Sequence, residues 1–241
     1  MAKKDTLETK NIQKFSKKVI SVFSNQNPGN KILSPDSKII KSGLEIHQQL
    51  DTGKLFCRCP SILRQDAADW IVRRKLHAVA GELGDVDAAA KHEIEKGVEF
   101  VYEGYRDTCC LLEYDECPPY EVDKDALKIA VQIALILNCE IVQTAQIMRK
   151  TVVDGSNTSG FQRTVLIARN GFLETSFGRV GIQTVMLEED AARKISEDAN
   201  HVVFRLDRLG IPLIEIATAP DMVVAEQVKE TALKLGEILR A

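Results

Sequence analysis

The sequence predicts an α+β fold in which a sheet of short strands packs against a core helix. Strand-like alternation of polar and apolar residues, with a period of two, is clearest in 43–50. An amphipathic helical pattern covers 124–137. From Glu140 onward strand-forming residues dominate, and Asn170-Gly171 has the composition of a tight hairpin turn.

Length and composition are those of an ordinary globular protein. The chain has 241 residues, of which 44% are hydrophobic and 28% charged, enough for one domain with a substantial core. Its longest apolar run, 129–137, is too short to span a bilayer, and the first residues lack the apolar region of a signal peptide. We therefore expect a cytoplasmic protein with no membrane partner, whose six cysteines stay reduced.

Charge divides the chain into two parts. The net charge is −3, but residues 1–41 carry nine lysines against three acidic residues, which leaves the rest of the chain acidic. We predict a basic, flexible leader over 1–37 and a globular domain over 38–241. An acidic globular part is not an obvious nucleic-acid binder. RNA binding would need the leader, a local basic patch or a further module, and we interpret the cationic run 73–75 as solvated surface.

The first strand of the globular part carries two polar residues that suit a binding site. Within 43–50, apolar side chains alternate with Glu45 and His47, which share one face. Their Cα atoms are expected roughly 6–7 Å apart, close enough to share a metal ion or to hold a substrate. An ordinary solvated strand face is the alternative.

A Cys-x-Cys pair, Cys57 and Cys59, follows this strand. It is a plausible half of a zinc site, with Cys109-Cys110 or Cys117 as the other half. Because none of these cysteines has the usual Cys-x-x-Cys spacing, we expect reduced structural thiols and no zinc.

The middle of the chain is predicted to contain both helices and strands. The segment 61–97 is expected to be helical with one break, and 98–105 and 108–114 are expected to form a strand pair. Asp123 is expected to cap the core helix 124–137.

The second half is predicted to be mostly strands, and acidic residues accompany two of them. The expected strands are 141–153, 161–168, 181–187, 201–206 and 213–217, followed by an amphipathic helix over 224–241. Glu188-Glu189-Asp190 come directly after one apolar strand, and Glu215 lies inside another. Burying a lone carboxylate costs several kcal/mol, so Glu215 needs a partner.

These strand-borne side chains are candidates for a divalent-cation site. The candidate ligands are Glu45, His47, Glu188, Glu189 and Glu215. Carboxylates with one histidine suit Mg²⁺ or Mn²⁺ better than structural zinc. Such a metal beside cations and the Gly/Ser/Thr loop 154–160 would suit phosphoryl transfer from ATP. The alternative for this loop is an ordinary turn.

Five segments resemble the archaeal GatE family, the E subunits of glutamyl-tRNA(Gln) amidotransferases. They are 42–61, 75–87, 148–164, 182–194 and 205–221. This family is similar to the B subunits of the bacterial enzyme. The resemblance implies a GatB/GatE cradle domain, a mainly antiparallel sheet with flanking helices akin to glutamine synthetase and guanido kinases. Family members are much longer, so we expect this chain to hold only the N-terminal cradle.

The resemblance also implies a reaction, the conversion of Glu-tRNA(Gln) to Gln-tRNA(Gln). ATP would phosphorylate the γ-carboxylate of the tRNA-bound glutamate, and ammonia would displace phosphate. The ammonia would come through a tunnel from the D subunit, an asparaginase-like glutaminase. One alternative is a non-catalytic fragment that only docks this glutaminase, and another is a zinc-stabilised RNA-binding protein.

Site residues carry over from the family motifs onto this sequence. The resemblance assigns catalytic roles to Glu45, His47 and Glu189. It assigns Mg²⁺ binding to these three and to Glu215, with Glu188 as the rival of Glu189 because only one of two adjacent strand residues faces the site. The residues expected around ATP or the aminoacyl end are Arg149, Lys150, Ser156, Thr158, Ser159 and Arg208.

Overall fold

The computed structural model describes residues 41–75, 80, 84–86 and 88–241, and the leader predicted for 1–37 lies outside them. The strands are β1 (Glu45–Gln49), β2 (Trp70–Lys75), β3 (Glu99–Gly104), β4 (Glu140–Ile141), β5 (Ile147–Thr151), β6 (Phe161–Thr175), β7 (Gly178–Glu189), β8 (Arg193–Glu197), β9 (His201–Arg205) and β10 (Pro212–Thr218). The helices are α1 (Ala88–Glu95), α2 (Lys124–Ile136) and α3 (Ala225–Ile238), with a 3₁₀ helix at Leu111–Tyr114. Among the described helices, none is long and apolar enough to cross a bilayer.

The described strands form two sheets. In the main sheet the order is β1-β10-β7-β6-β4, and β5 also pairs with β6. Every pairing in the main sheet is antiparallel. In the second sheet the order is β2-β3-β9-β8, and β3 and β9 are parallel while the other pairs are antiparallel. The predicted α+β class, a mainly antiparallel sheet with flanking helices, is confirmed.

Helix α2 packs against one face of the main sheet. The Asp123 side chain caps this helix by accepting a hydrogen bond of 2.9 Å from the Ala126 backbone N–H, which satisfies an otherwise unpaired donor. Ile133 of α2 lies in one hydrophobic cluster with Leu187 of β7 and Ile214 of β10. Because side chains alternate along a strand, the sequence neighbours of Leu187 and Ile214 project from the opposite face.

Two predictions for the middle of the chain are wrong. Within the segment 61–97, predicted as helical, residues 70–75 form β2 and pair with β3 along their whole length. These residues alternate between half-buried and exposed, the period of a strand. The strand predicted for 108–114 is replaced by the 3₁₀ helix at 111–114.

The hairpin turn predicted at Asn170-Gly171 is also wrong, because β6 continues through both residues and turns only after Thr175. Asn170 has a φ of 56°, which an asparagine tolerates better than most residues. Gly171 is required for a different reason. An added Cβ would lie 2.5 Å from the Leu137 carbonyl oxygen and would collide with Cys139 Sγ.

Candidate functional site

Charged side chains from four strands of the main sheet meet on the face opposite α2. His47 Nε2 lies 2.9 Å from Glu215 Oε2, 3.5 Å from Glu45 Oε1 and 4.0 Å from Glu188 Oε2. Lys150 Nζ lies 2.8 Å from Glu188 Oε1 and 3.8 Å from Glu215 Oε2. We call these five residues the acidic group.

Strand register explains why these residues meet although they are far apart in sequence. His47 of β1 lies directly opposite Glu215 of β10. Glu188 of β7 lies opposite Leu213, two residues before Glu215 on the same strand and therefore on the same face. The partner that the buried Glu215 requires is thus supplied by the first strand of the domain.

Glu188 is the most buried carboxylate of the acidic group, with 1% of its surface exposed. Besides Lys150, it accepts hydrogen bonds from Thr164 Oγ1 at 2.9 Å and from Gln162 Nε2 at 3.2 Å. Such partners offset the cost of removing the charge from water. Gln162 and Thr164 were not predicted from the sequence, although their two-residue spacing on a strand was the available signal.

Glu189 does not join the acidic group. It is also buried, but its two carboxylate oxygens each lie 3.1 Å from Arg163 Nη1, on the opposite side of the sheet from Glu188. Burial raises the pKa of Glu189, and Arg163 opposes this shift. Of the two rivals considered from the sequence, the geometry therefore favours Glu188, because adjacent strand residues point to opposite faces.

The histidine in the acidic group is biased towards its charged form. The hydrogen bond to Glu215 raises the pKa of His47 above its ordinary value, against the effect of burial, and Glu45 and Glu188 add to the rise. The same bond lowers the pKa of Glu215. In the absence of a metal, the two side chains therefore form an imidazolium–carboxylate pair.

Three members of the acidic group have the geometry and chemistry of metal ligands. One ligand atom from each of Glu45, His47 and Glu215 lies within 4.8 Å of the other two. Two carboxylates and an imidazole fit Mg²⁺ or Mn²⁺, and Glu188 lies beside them. The donor set therefore fits the divalent cation expected from the sequence.

Among the residues predicted to surround ATP, Lys150 is the one that reaches the acidic group. Its neighbour Arg149 lies on the other face of β5, where its guanidinium carbon is 5.6 Å from the centre of the Phe161 ring. Arg208 donates hydrogen bonds to the Ala191 and Ala192 carbonyl oxygens at 2.7 and 3.0 Å. The Arg208 side chain therefore fastens the chain between β7 and β8.

The three hydroxyl side chains of loop 154–160 make contacts that hold this loop in place. Ser156 donates to Asp154 Oδ1 at 2.6 Å, Thr158 donates to the Glu113 carbonyl oxygen at 2.8 Å, and Ser159 donates to the Phe161 carbonyl oxygen at 2.9 Å. Since the side chains hold the loop, backbone groups remain as its means of contacting a ligand. Their predicted roles at ATP stay predictions.

The Cys-x-Cys pair has neighbours that the sequence left open. Ligand atoms of Cys57, Cys59, Cys110 and Glu113 all lie within 4.8 Å of one another, while Cys109 belongs to the hydrophobic core between the second sheet and its flanking segments. Three thiols and a carboxylate match the ligand count of a structural zinc site. Glu113, however, already accepts hydrogen bonds from Cys57 and Lys54. The expectation of reduced thiols without zinc stays a prediction, which stoichiometric metal analysis tests.

A buried ion pair that the sequence did not predict lies beside these cysteines. Lys54 is 0% and Glu113 3% exposed, and Lys54 Nζ lies 2.9 Å from Glu113 Oε1. Burial alone would lower the pKa of Lys54, but Glu113 outweighs it and the pKa is raised. Both residues line a cavity of about 10 Å³ together with Arg163 and Glu189, enough for roughly one water molecule.

Comparison with known families assigns the described domain. The family model described as "GatB/GatE catalytic domain" matches residues 40–241. The match therefore includes every strand and helix of the two sheets.

Curated relatives with sequences similar to this chain are all named as the E subunit of glutamyl-tRNA(Gln) amidotransferase. The protein from Methanocaldococcus jannaschii is 55% identical over 203 residues, which are 84% of this chain and 32% of the relative. The protein from Archaeoglobus fulgidus is 50% identical over 204 residues, 84% of this chain and 33% of the relative. That from Thermoplasma volcanium is 53% identical over 197 residues, 82% and 33%. The chain thus spans about a third of the length of these relatives.

Proposed function

Because the chain belongs to the GatB/GatE catalytic domain family, we propose that it performs the ATP-dependent part of glutamyl-tRNA(Gln) amidotransfer. A γ-carboxylate oxygen of the tRNA-bound glutamate attacks the γ-phosphorus of ATP, and ADP leaves. Ammonia then attacks the carbonyl carbon of the acyl phosphate. The C–N bond forms as the C–O bond to phosphate breaks, and the nitrogen releases a proton.

The observation that carries this proposal is the acidic group, in which Glu45, His47, Glu188 and Glu215 meet beside Lys150. A bound Mg²⁺ or Mn²⁺ would neutralise charge on the phosphate oxygens. The Lys150 ammonium is half-buried beside these carboxylates and reaches phosphate by a change of rotamer. Arrangements of this kind support phosphoryl transfer mainly through positioning and electrostatic stabilisation.

The chemistry requires no general base in the first step, because the acceptor carboxylate is already an anion at neutral pH. The role of His47 is then to bind and orient, and its hydrogen bond to Glu215 fixes the imidazole ring. Glu188, held by Thr164 and Gln162, supplies a rigid wall to the site.

The whole reaction needs components beyond this chain. The name of the relatives describes one subunit of an amidotransferase acting on tRNA, and the chain spans about a third of their length. We propose that the ammonia is supplied by a partner glutaminase, the asparaginase-like D subunit. Glu-tRNA(Gln) is the proposed second substrate, in the cytoplasm.

Calorimetric titration tests the proposal at the level of this chain. Mn²⁺ with a non-hydrolysable ATP analogue is titrated into the wild type and the variants Glu215→Gln and His47→Ala. Each substitution is expected to weaken binding about 10–100-fold, as loss of one ligand does. Glu174→Gln is the control, because it removes an exposed carboxylate whose partner is Arg179 at the β6–β7 hairpin. A folded wild type that binds neither metal nor nucleotide would support the alternative of a fragment that only docks the glutaminase.

A further inference from the structure

A basic cavity of about 450 Å³ lies between strand β2 and loop 157–160, and we propose that it binds the phosphodiester backbone of single-stranded RNA. Three consecutive cations, residues 73–75, form one side, and Phe100 and Tyr102 form its floor. Asp115 is the one carboxylate in its lining. The volume is within the usual range of roughly 300–1,000 Å³ for ligand sites.

The cations are available to a ligand. Arg73 donates to Glu99 at 2.7 Å and Arg74 donates to Glu116 at 2.6 Å, and both pairs lie in solvent-accessible positions. Such pairs contribute at most about 1 kcal/mol, so a phosphate oxygen can replace the carboxylate. Within the described part of the chain, Lys75 makes no ion pair.

The opposite wall of the cavity is fixed in place. Tyr102 Oη donates to the Gly155 carbonyl oxygen at 2.8 Å. A Cβ on Gly155 would collide with the Phe100 ring, and the φ of 78° at Gly155 favours glycine. The Gly160 backbone N–H donates to the Asn157 carbonyl oxygen at 2.9 Å. The loop is thus held on β3, and the cavity exists before any ligand binds.

Charge and composition favour a nucleic-acid backbone over a free nucleoside triphosphate. No member of the acidic group lines the cavity, and a triphosphate normally binds together with a divalent cation held by carboxylates. A phosphodiester carries one charge per unit. Cations spaced along a strand, over an aromatic floor, are the combination found in single-strand binding grooves.

The cavity also accounts for how an acidic chain could contact RNA. The net charge of the whole chain is −3, so contact with RNA needs a local cationic patch. Residues 73–75, which the sequence alone suggested were merely solvated, supply one beside a preformed polar loop. The choice of RNA among single-stranded polyanions rests on the proposed function.

Fluorescence anisotropy with a labelled ten-nucleotide single-stranded RNA tests the inference. The variants are Arg73→Gln, Lys75→Gln and the double variant, and the control is Arg179→Gln, which removes the same charge at the β6–β7 hairpin. The lysines of 1–41 contribute the same background to every variant. Each single cavity variant is expected to weaken binding about 3–10-fold, and to reduce the magnitude of the salt slope by about 0.7 for each phosphate that is no longer neutralised.

The same proteins are titrated with Mn²⁺ and the ATP analogue. The inference expects the cavity variants to bind it as the wild type does, and His47→Ala to lose it while keeping RNA affinity. The two proposals can therefore fail separately. RNA affinities of the cavity variants equal to that of Arg179→Gln would overturn the inference. Loss of the ATP analogue with RNA affinity retained would overturn it as well, by making the cavity a nucleotide site.

Discussion

Glu188 and Glu189 are adjacent in sequence, yet their carboxylates pair with different cations on opposite faces of the main sheet. Glu188 Oε1 lies 2.8 Å from Lys150 Nζ, and Glu189 Oε2 lies 3.1 Å from Arg163 Nη1. Both carboxylates are buried, at 1% and 4% exposure. One belongs to the acidic group and the other to the interior, so their removal should have separable consequences.

We expect Glu188→Gln to weaken Mn²⁺ binding about 10–100-fold and Glu189→Gln to leave it within about twofold. Glu189→Gln should instead lower the free energy of unfolding by about 3–5 kcal/mol, because it leaves Arg163 with its charge uncompensated. Calorimetry and urea denaturation measure the two effects. Weaker metal binding by a folded Glu189→Gln protein, with Glu188→Gln unaffected, would reverse the assignment.

The buried pair of Lys54 and Glu113 should be sensitive to loss of one partner. Glu113→Gln leaves an ammonium in the interior and is expected to cost about 3–5 kcal/mol of unfolding free energy. The double substitution Lys54→Met/Glu113→Leu should recover much of this, since it removes both charges together. Urea denaturation of both, beside the exposed control Glu174→Gln, makes the comparison. A cost for Glu113→Gln no larger than that of the control contradicts the expectation.

The pair of His47 and Glu215 should stabilise the metal-free protein most in mildly acidic solution. Because the pKa of His47 is raised above its ordinary 6.5, its contribution is complete below that pH and disappears as the pH rises through the folded-state value. Because the pKa of Glu215 is lowered from 4.5, its contribution is lost as the pH falls through that lower value. The window of full stabilisation therefore lies between about 4.5 and 6.5.

Urea denaturation in EDTA from about pH 5 to about pH 9 tests this dependence with His47→Gln beside the wild type. The wild type should be more stable by about 1 kcal/mol near pH 5.5, and the difference should shrink towards the alkaline end. A difference that grows with rising pH would show that the neutral imidazole is the stabilising form.

Gly171 should resist substitution although it lies in the middle of a strand. An added Cβ meets the Leu137 carbonyl oxygen at 2.5 Å, so Gly171→Ala is expected to cost about 1–3 kcal/mol through overpacking. Gly53→Ala is the matched control, since the nearest atom to its new Cβ is 3.6 Å away. Thermal denaturation of the two variants measures the difference, and equal midpoints would contradict the close approach.

The sequence predicted the local elements of the site better than their arrangement. The alternation in β1 placed Glu45 and His47 on one face, and the isolated charge of Glu215 indicated a partner. The choice between Glu188 and Glu189 depended on the register of β7, which is set by pairing across the sheet and interrupted on β6 between Leu166 and Ala168. No local pattern contains that information.

Tertiary contacts also explain the errors at Asn170-Gly171 and in 70–75. A two-residue turn signature was overridden because β6 continues past Leu137, where only glycine fits. The segment 70–75 was assigned to a helix because its neighbours are helix formers, whereas pairing with β3 decided its conformation. In both places non-local contacts outweighed local preference.

Strand β1 is the last strand at its edge of the main sheet and pairs with β10 alone among the described strands. An edge strand opens locally at less cost than a central one, and fraying of β1 would carry Glu45 and His47 away while Glu188 and Glu215 stay in place. A cation held by both strands would fasten that edge, adding its binding free energy to the cost of opening. Slower hydrogen exchange of the β1 amides would then report the occupancy of the site.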